Sequence, residues 1–157
     1  MALIKLNNQS LTAVSALPAG LDTGKVLQVV QTTGTTTAQP NTNETWFDCT
    51  ASITITPSSA SSKILLMHSA GGLVSNVGDA SLRILRNTTV LIESDRWGYR
   101  DGADFAPINW SNSYLDSPST TSAVTYKWQI RKEGGSTSGL RHTDAATAVS
   151  IAMEIAG

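Results

Sequence analysis

Two histidines, one cysteine and a cluster of four carboxylates are the side chains whose chemistry could extend beyond packing. His68 stands in an apolar stretch and His142 in a polar one, and neither has a metal-ligand spacing such as H-x-x-x-H around it. His68 is expected to be a core histidine with its hydrogen bonds satisfied, and His142 a loop residue. Cys49, the single cysteine, excludes an intramolecular disulfide and a cysteine-rich zinc site, and is expected to be buried as a small hydrophobe. Glu93, Asp95, Asp101 and Asp104 are close enough in sequence for calcium binding or paired acid-base work on a sugar. Interspersed arginines and the lack of an Asp-x-Asp-x-Asp-Gly pattern predict instead a solvated loop of mixed charge. No glycine-rich phosphate loop or nucleophile elbow occurs, so neither an enzyme nor a bound cofactor or metal is expected.

Aromatic residues form the densest local signal. Trp97, Tyr99, Phe105, Trp110 and Tyr114 fall within 18 positions of a chain that is 6% aromatic, interleaved with Arg96, Arg100, Asp101, Gly102 and Asp104. Rings beside polar groups suit core packing, a protein interface or stacking on a sugar.

The elements that would position these residues read as strands. Apolar and polar residues alternate without fault from Val124 to Arg131, with Val124, Tyr126, Trp128 and Ile130 on one side. One face of that strand is expected to be buried and the other wet. Strands are also expected at 25–33, at 46–50 and 52–56 (as one long strand or two), at 63–70 as a central strand, and at 107–116. Residues 81–86 and 89–94 read as a hairpin around Asn87-Thr88. Val149, Ile151, Met153 and Ile155 alternate with Ser150, Ala152 and Glu154 to close the chain. Eight or nine short strands with no convincing long helix make the fold class all-β, a single β-sandwich over residues 25–157.

Residues 1–24 differ. Leu3, Ile4, Leu6, Leu11, Val14 and Leu17 are spread through a stretch whose Thr12, Val14 and Ser15 favour helix weakly and whose Pro18 would end one. The expectation is an extended N-terminal arm with six apolar side chains to bury against something else, because a solvated tail has no use for them. A sandwich of about 130 residues has a radius of gyration near 14 Å, whereas 20 extended residues can reach on the order of 65 Å. An arm of this kind can therefore cross onto a neighbouring subunit.

Composition narrows the partners. The chain has 157 residues, 15% of them charged, a formal net charge of -1 and a pI near 6.0, which disfavours nucleic-acid binding. The longest strictly apolar run, residues 64–67, is far below the roughly 20 residues of a membrane span, and no signal-peptide core is evident. A protein with no membrane partner, synthesised in the cytoplasm, is expected. Strands with few charges leave edges and faces that an oligomer would cover, and a homotrimer is expected.

Three stretches resemble small virion proteins of tailed bacteriophages, especially aquatic phages. They are the opening MALIKLNNQSLT with LPAG and GKVLQV, the segment ITPSSASSKIL, and the segment LDSPSTTSAVTYK; the closing MEI fits as well. The similarity covers both ends and the framework strands and leaves residues 72–109 without a match. It implies a virion component assembled in the host cytoplasm, with a jelly-roll topology. Its expected role is a trimeric capsid decoration, or cement, protein that binds the major capsid protein or another virion protein. The alternative is a tail-fibre or receptor-binding module in which the 97–110 region reads host glycan.

Overall fold

Serine, threonine and β-branched residues, punctuated by Pro, Gly and Asn, produce ten strands among the described residues of the computed structural model. They are β1 (Val26–Gly34), β2 (Trp46–Asp48), β3 (Ile53–Ile55), β4 (Lys63–Val74), β5 (Val77–Arg86), β6 (Thr89–Asp101), β7 (Ala106–Asp116), β8 (Val124–Lys132), β9 (Arg141–His142) and β10 (Ala148–Ile155). The structure describes residues 24–35, 44–74, 77–101, 106–132, 141–142 and 147–157. For 72–74, 77–79, 96–101, 106–108, 110 and 141–142 the description is of the backbone. The segment carrying Leu3, Ile4, Leu6, Leu11, Val14 and Leu17 lies outside the described residues.

The strands form two antiparallel sheets. Sheet A runs β1-β10-β4-β7, with β9 on the far end of β4, and sheet B runs β2-β8-β5-β6, with β3 also on β8. The chain is an all-β sandwich, as the sequence predicts. The core lies between the sheets: Ile53, Ile55, Ile84, Val124, Tyr126, Trp128 and Ile130 from sheet B meet Ile64, Leu66 and Ala152 from sheet A.

Some sequence expectations are resolved and others change in detail. The 46–56 stretch is two strands, because the chain breaks at Cys49-Thr50-Ala51, where Ala51 adopts φ 65°. Residues 95–101, expected in a solvated loop of mixed charge, continue β6 beyond the expected hairpin, paired with β5 through Tyr99 opposite Asp79 and Asp101 opposite Val77. Glu93 pairs with Arg83, and Asp95 with Ser81 and Arg131, on β5 and β8, which is why mixed charge here does not signal a loop. His142, also expected in a loop, sits in β9, opposite Gly72. The hairpin around Asn87 is present, and Asn87 takes φ 53°, as a tight hairpin turn requires.

Two strands depart from the simple rule of apolar inside and polar outside. On β8 the even-numbered residues are buried, but Gln129 on the opposite face is buried too. Its amide donates to Asp48 (2.5 Å) and its carbonyl accepts from Arg83 (2.7 Å), so neighbouring polar side chains cover it. On β10 the polarity is inverted: Ala148, Ser150, Ala152 and Glu154 point into the sandwich, and Val149, Ile151, Met153 and Ile155 face out.

Candidate functional site

The inverted strand determines what the outside of sheet A is made of. Residues paired in register share a face, so the outward positions fall into rows. One row is Val29-Met153-Leu65-Leu115, the next Gln31-Ile151-Met67-Ser113, and the third Thr33-Val149-Ser69-Ser111. Val26 and Ile155 extend the apolar area toward Lys63, the one charge among the described outward positions of this face. Val29 is 56% exposed, Leu115 50% and Met67 41%. A shallow hollow of about 310 Å³ lies over Met67, Val149 and Ile151, rimmed by Ser69, Ser111 and Ser113.

The outside of sheet B is the opposite in character. A row of Asp48, Gln129, Arg83 and Glu93 crosses four strands. Arg83 pairs with Glu93 (3.7 Å), Arg131 with Asp95 (3.3 Å), and Lys127 with Asp48 (3.1 Å). The guanidinium groups of Arg83 and Arg131 lie over the Trp46 ring at 4.2 and 4.7 Å. This face is suited to water, whereas the Val29-Met153-Leu65-Leu115 row of sheet A, with Ile151 and Met67 beside it, is apolar.

Polar groups that point inward are structural. Ser150 donates to the Ala51 carbonyl at 2.6 Å. Its proton being committed there, the 2.7 Å contact with His68 requires Nδ1–H of His68 to donate to the serine oxygen. A serine so engaged and 0% exposed is no nucleophile. The His68 ring stacks on Trp128 with centroids 4.4 Å apart, and the Trp128 indole donates to Asn112 at 3.1 Å. At the other end Asp116 accepts from Tyr126 (2.7 Å) and from Arg86 (2.9 and 3.0 Å). Burial and then the Asp116 hydrogen bond push the Tyr126 phenol far above its usual range. Burial, reinforced by Asp48, likewise raises the Cys49 thiol, so Cys49 is an inert core residue.

Glu154 secures the root of β1. It accepts from the Gln28 amide (2.6 Å) and from both the backbone amide and the hydroxyl of Ser58 (2.7 Å each). Burial alone would raise its pKa; the donors from Ser58 and Gln28 outweigh it and bring the group down to about 2. Next to it, the Gly24 amide donates to Ala156 (3.2 Å) and the Ala156 amide to Lys25 (2.8 Å). Whatever precedes Gly24 therefore starts from a fixed point at the edge of sheet A.

The aromatic cluster is distributed over both sheets. Trp97 and Tyr99 lie on β6 of sheet B, while Trp110, opposite Ala70, and Tyr114, opposite Leu66, lie on β7 of sheet A. Tyr114 is half-buried against the core. Phe105 lies outside the described residues, as do the side chains of Trp97, Tyr99 and Trp110. Among the described residues no group of three or more His, Cys, Asp or Glu side chains gathers as a metal site would need.

Sequence reasoning missed the outer face of sheet A. The signal was the alternation of Val149, Ile151, Met153 and Ile155, but period two gives no indication of which side faces the core. The buried positions between them are small or hydrogen-bonded, which was the available clue.

No family model matches the chain, and no curated protein does. Among solved structures it is similar to infectious bursal disease virus, Gx strain, at 12% identity and a TM-score of 0.51, over 83% of this chain and 32% of that one. The VP2 subviral particle of the same virus matches at 18% identity and 0.42, over 83% and 33%. A Stig cyclase, Fisc from Fischerella, matches at 17% and 0.39, over 71% and 56%. The chain spans about a third of the length of the viral structures it matches. At these identities, and with the TM-score above 0.5 confined to the first of these three, the finding is one of fold: the sandwich is built like part of the infectious bursal disease virus structure.

Proposed function

We propose that this chain is a non-enzymatic structural subunit of a virus particle, specifically a homotrimeric decoration protein on the capsid of a tailed phage. Residues 1–24 attach it to the major capsid protein or a neighbouring virion protein, a further copy of this chain included, and contacts between copies hold the ring together. The observation that carries the reading is the inequality of the two outer faces. One is laced with ion pairs, whereas the other presents Val29, Met153, Leu65, Leu115, Ile151 and Met67 without a charge among them. Exposed apolar area of this kind is characteristic of a surface that a protein partner covers.

The strand order supports the jelly-roll form of the proposal. Counting β2 and β3 as one interrupted strand and leaving β9 aside, eight strands among the described residues form two sheets of four, with β1 beside β10. Fold alone hosts many functions, so the likeness to viral particle proteins adds less than the face does.

The test is incorporation. A protein lacking residues 1–17 is expected to keep its β circular dichroism and to disappear from purified particles by mass spectrometry. Incorporation at the wild-type level would overturn the attachment role. Copy number addresses location: hundreds per particle fit a decoration protein, and about a dozen would move the chain to a tail fibre that reads host glycan.

A further inference from the structure

We infer that the outer face of sheet A is the receptor for residues 3–17 of a second copy of this chain. The inference rests on the proposed assembly of copies and names the surface that makes it.

The two surfaces match in chemistry. Residues 1–23 carry Lys5 and Asp22 as their only charged side chains, and Leu3, Ile4, Leu6, Leu11, Val14 and Leu17 as their large apolar ones between positions 3 and 17. The face offers four apolar residues in its first row and two in the next, flanked by Gln31, Thr33, Ser69, Ser111 and Ser113. These uncharged rim groups can hydrogen-bond to a backbone that arrives with its polar groups unpaired. The charged face of sheet B would require its ion pairs to be stripped of water by the same segment, at a cost it could not offset.

Reach puts a neighbour's face within range of the segment. The segment starts from Gly24, fixed by its bond to Ala156, and the apolar area of its own sheet begins two residues later at Val26. Leu17 lies seven residues upstream, so in extended form it sits about 23 Å beyond that point and Leu3 about 70 Å. A radius of gyration of about 14 Å corresponds to a body roughly 36 Å across, so in extended form Leu17 still lies within its span, whereas Leu11, about 43 Å out, and Leu3 pass beyond it. Exchange of one such segment per copy around a symmetry axis closes a ring, each copy giving one arm and receiving one. The same contact repeated around the ring gains by effective concentration what a single arm lacks.

Disulfide trapping in the full-length protein tests this. In a Cys49→Ala background, Met67→Cys is combined in turn with Leu6→Cys, Leu11→Cys, Val14→Cys and Leu17→Cys, and the proteins are oxidised and run without reductant. At least one pair is expected to give covalent oligomers, because a disulfide forms only when the Cα atoms come within about 7 Å. A disulfide closing within one chain, or none from any of the four pairs, overturns the inference. Independently, Met67→Glu places a charge at an exposed position and is expected to reduce the light-scattering mass from three times 16.5 kDa to 16.5 kDa. An unchanged mass overturns it as well. Failure of the wider reading looks different: linked oligomers would form and yet be missing from particles.

Discussion

Glu154 is a fully buried carboxylate that the fold retains because three donors converge on it, two from Ser58 and one from Gln28. An unpaired carboxylate there would be strongly disfavoured, and a protonated one would leave the donors poorly matched. Its pKa is lowered from 4.5 to about 2 by these bonds against the opposing effect of burial. A carboxyl whose folded pKa is depressed gives stability that is complete above its unfolded pKa and is lost as pH falls through the folded one. The denaturant midpoint of the protein is therefore expected to fall as pH drops from about 4.5 to about 2. In Glu154→Gln the midpoint starts lower at neutral pH and changes less across that window. Equal pH profiles for the two proteins would show that Glu154 does not hold β1 to the 58–62 turn as the hydrogen bonds imply. The consequence extends to the arm, because Gln28 lies four residues after Gly24 and its amide also bonds to Thr56 at 2.7 Å.

At the level of the element, β8 is where sequence and structure agree best, and the agreement can be tested by its register. Trp128 is 0% exposed, stacked on His68 and bonded to Asn112. Its replacement by Ala should cost about 3 to 5 kcal/mol in a denaturant titration, as large aromatic truncations in cores do. Gln129, one position on, would be worth little if its face were simply wet; with bonds to Arg83 and Asp48 its replacement by Ala should cost about 1 to 2 kcal/mol. A larger loss at Gln129 than at Trp128 would mean the strand sits one residue out of register. The even positions of β8 were legible because Tyr126, Trp128 and Ile130 are too large and apolar for any other face. Burial of Gln129 was not, because it depends on Arg83 and Asp48, which are distant in sequence and meet it only after pairing. The same limit hid the orientation of β10. Val149, Ile151, Met153 and Ile155 make a regular pattern, and only the donors around Glu154 and the bond from Ser150 to Ala51 decide that the polar side turns inward. The second half of β6 was misread for a related reason: the charges from Asp95 onward signal a loop in isolation and a paired strand once Arg131 and Ser81 meet Asp95.

For the molecule as a whole, one outer face carries an apolar area and the other is laced with ion pairs, and the two are expected to respond oppositely to salt. Ion pairs on sheet B, such as Arg131 with Asp95 and Lys127 with Asp48, are partly exposed and weaken as the Debye length shrinks from about 10 Å at 0.1 M to about 3 Å at 1 M. Burial of Val29, Met67, Leu115 and Ile151 on sheet A involves no charge and is strengthened by excluded salts such as sulfate. The two faces therefore make different interfaces distinguishable without a structure of the assembly. If copies associate through sheet A, light scattering should report three times 16.5 kDa at low ionic strength. The same mass should persist in about 1 M sodium chloride, at lower protein concentration in sulfate, and in the presence of EDTA. Dissociation in sodium chloride would place the contact on the Arg83, Arg131 and Asp48 face instead. A monomer that stays soluble at every salt concentration would leave the apolar rows of sheet A without a partner of the same chain, and would make the particle itself their occupant.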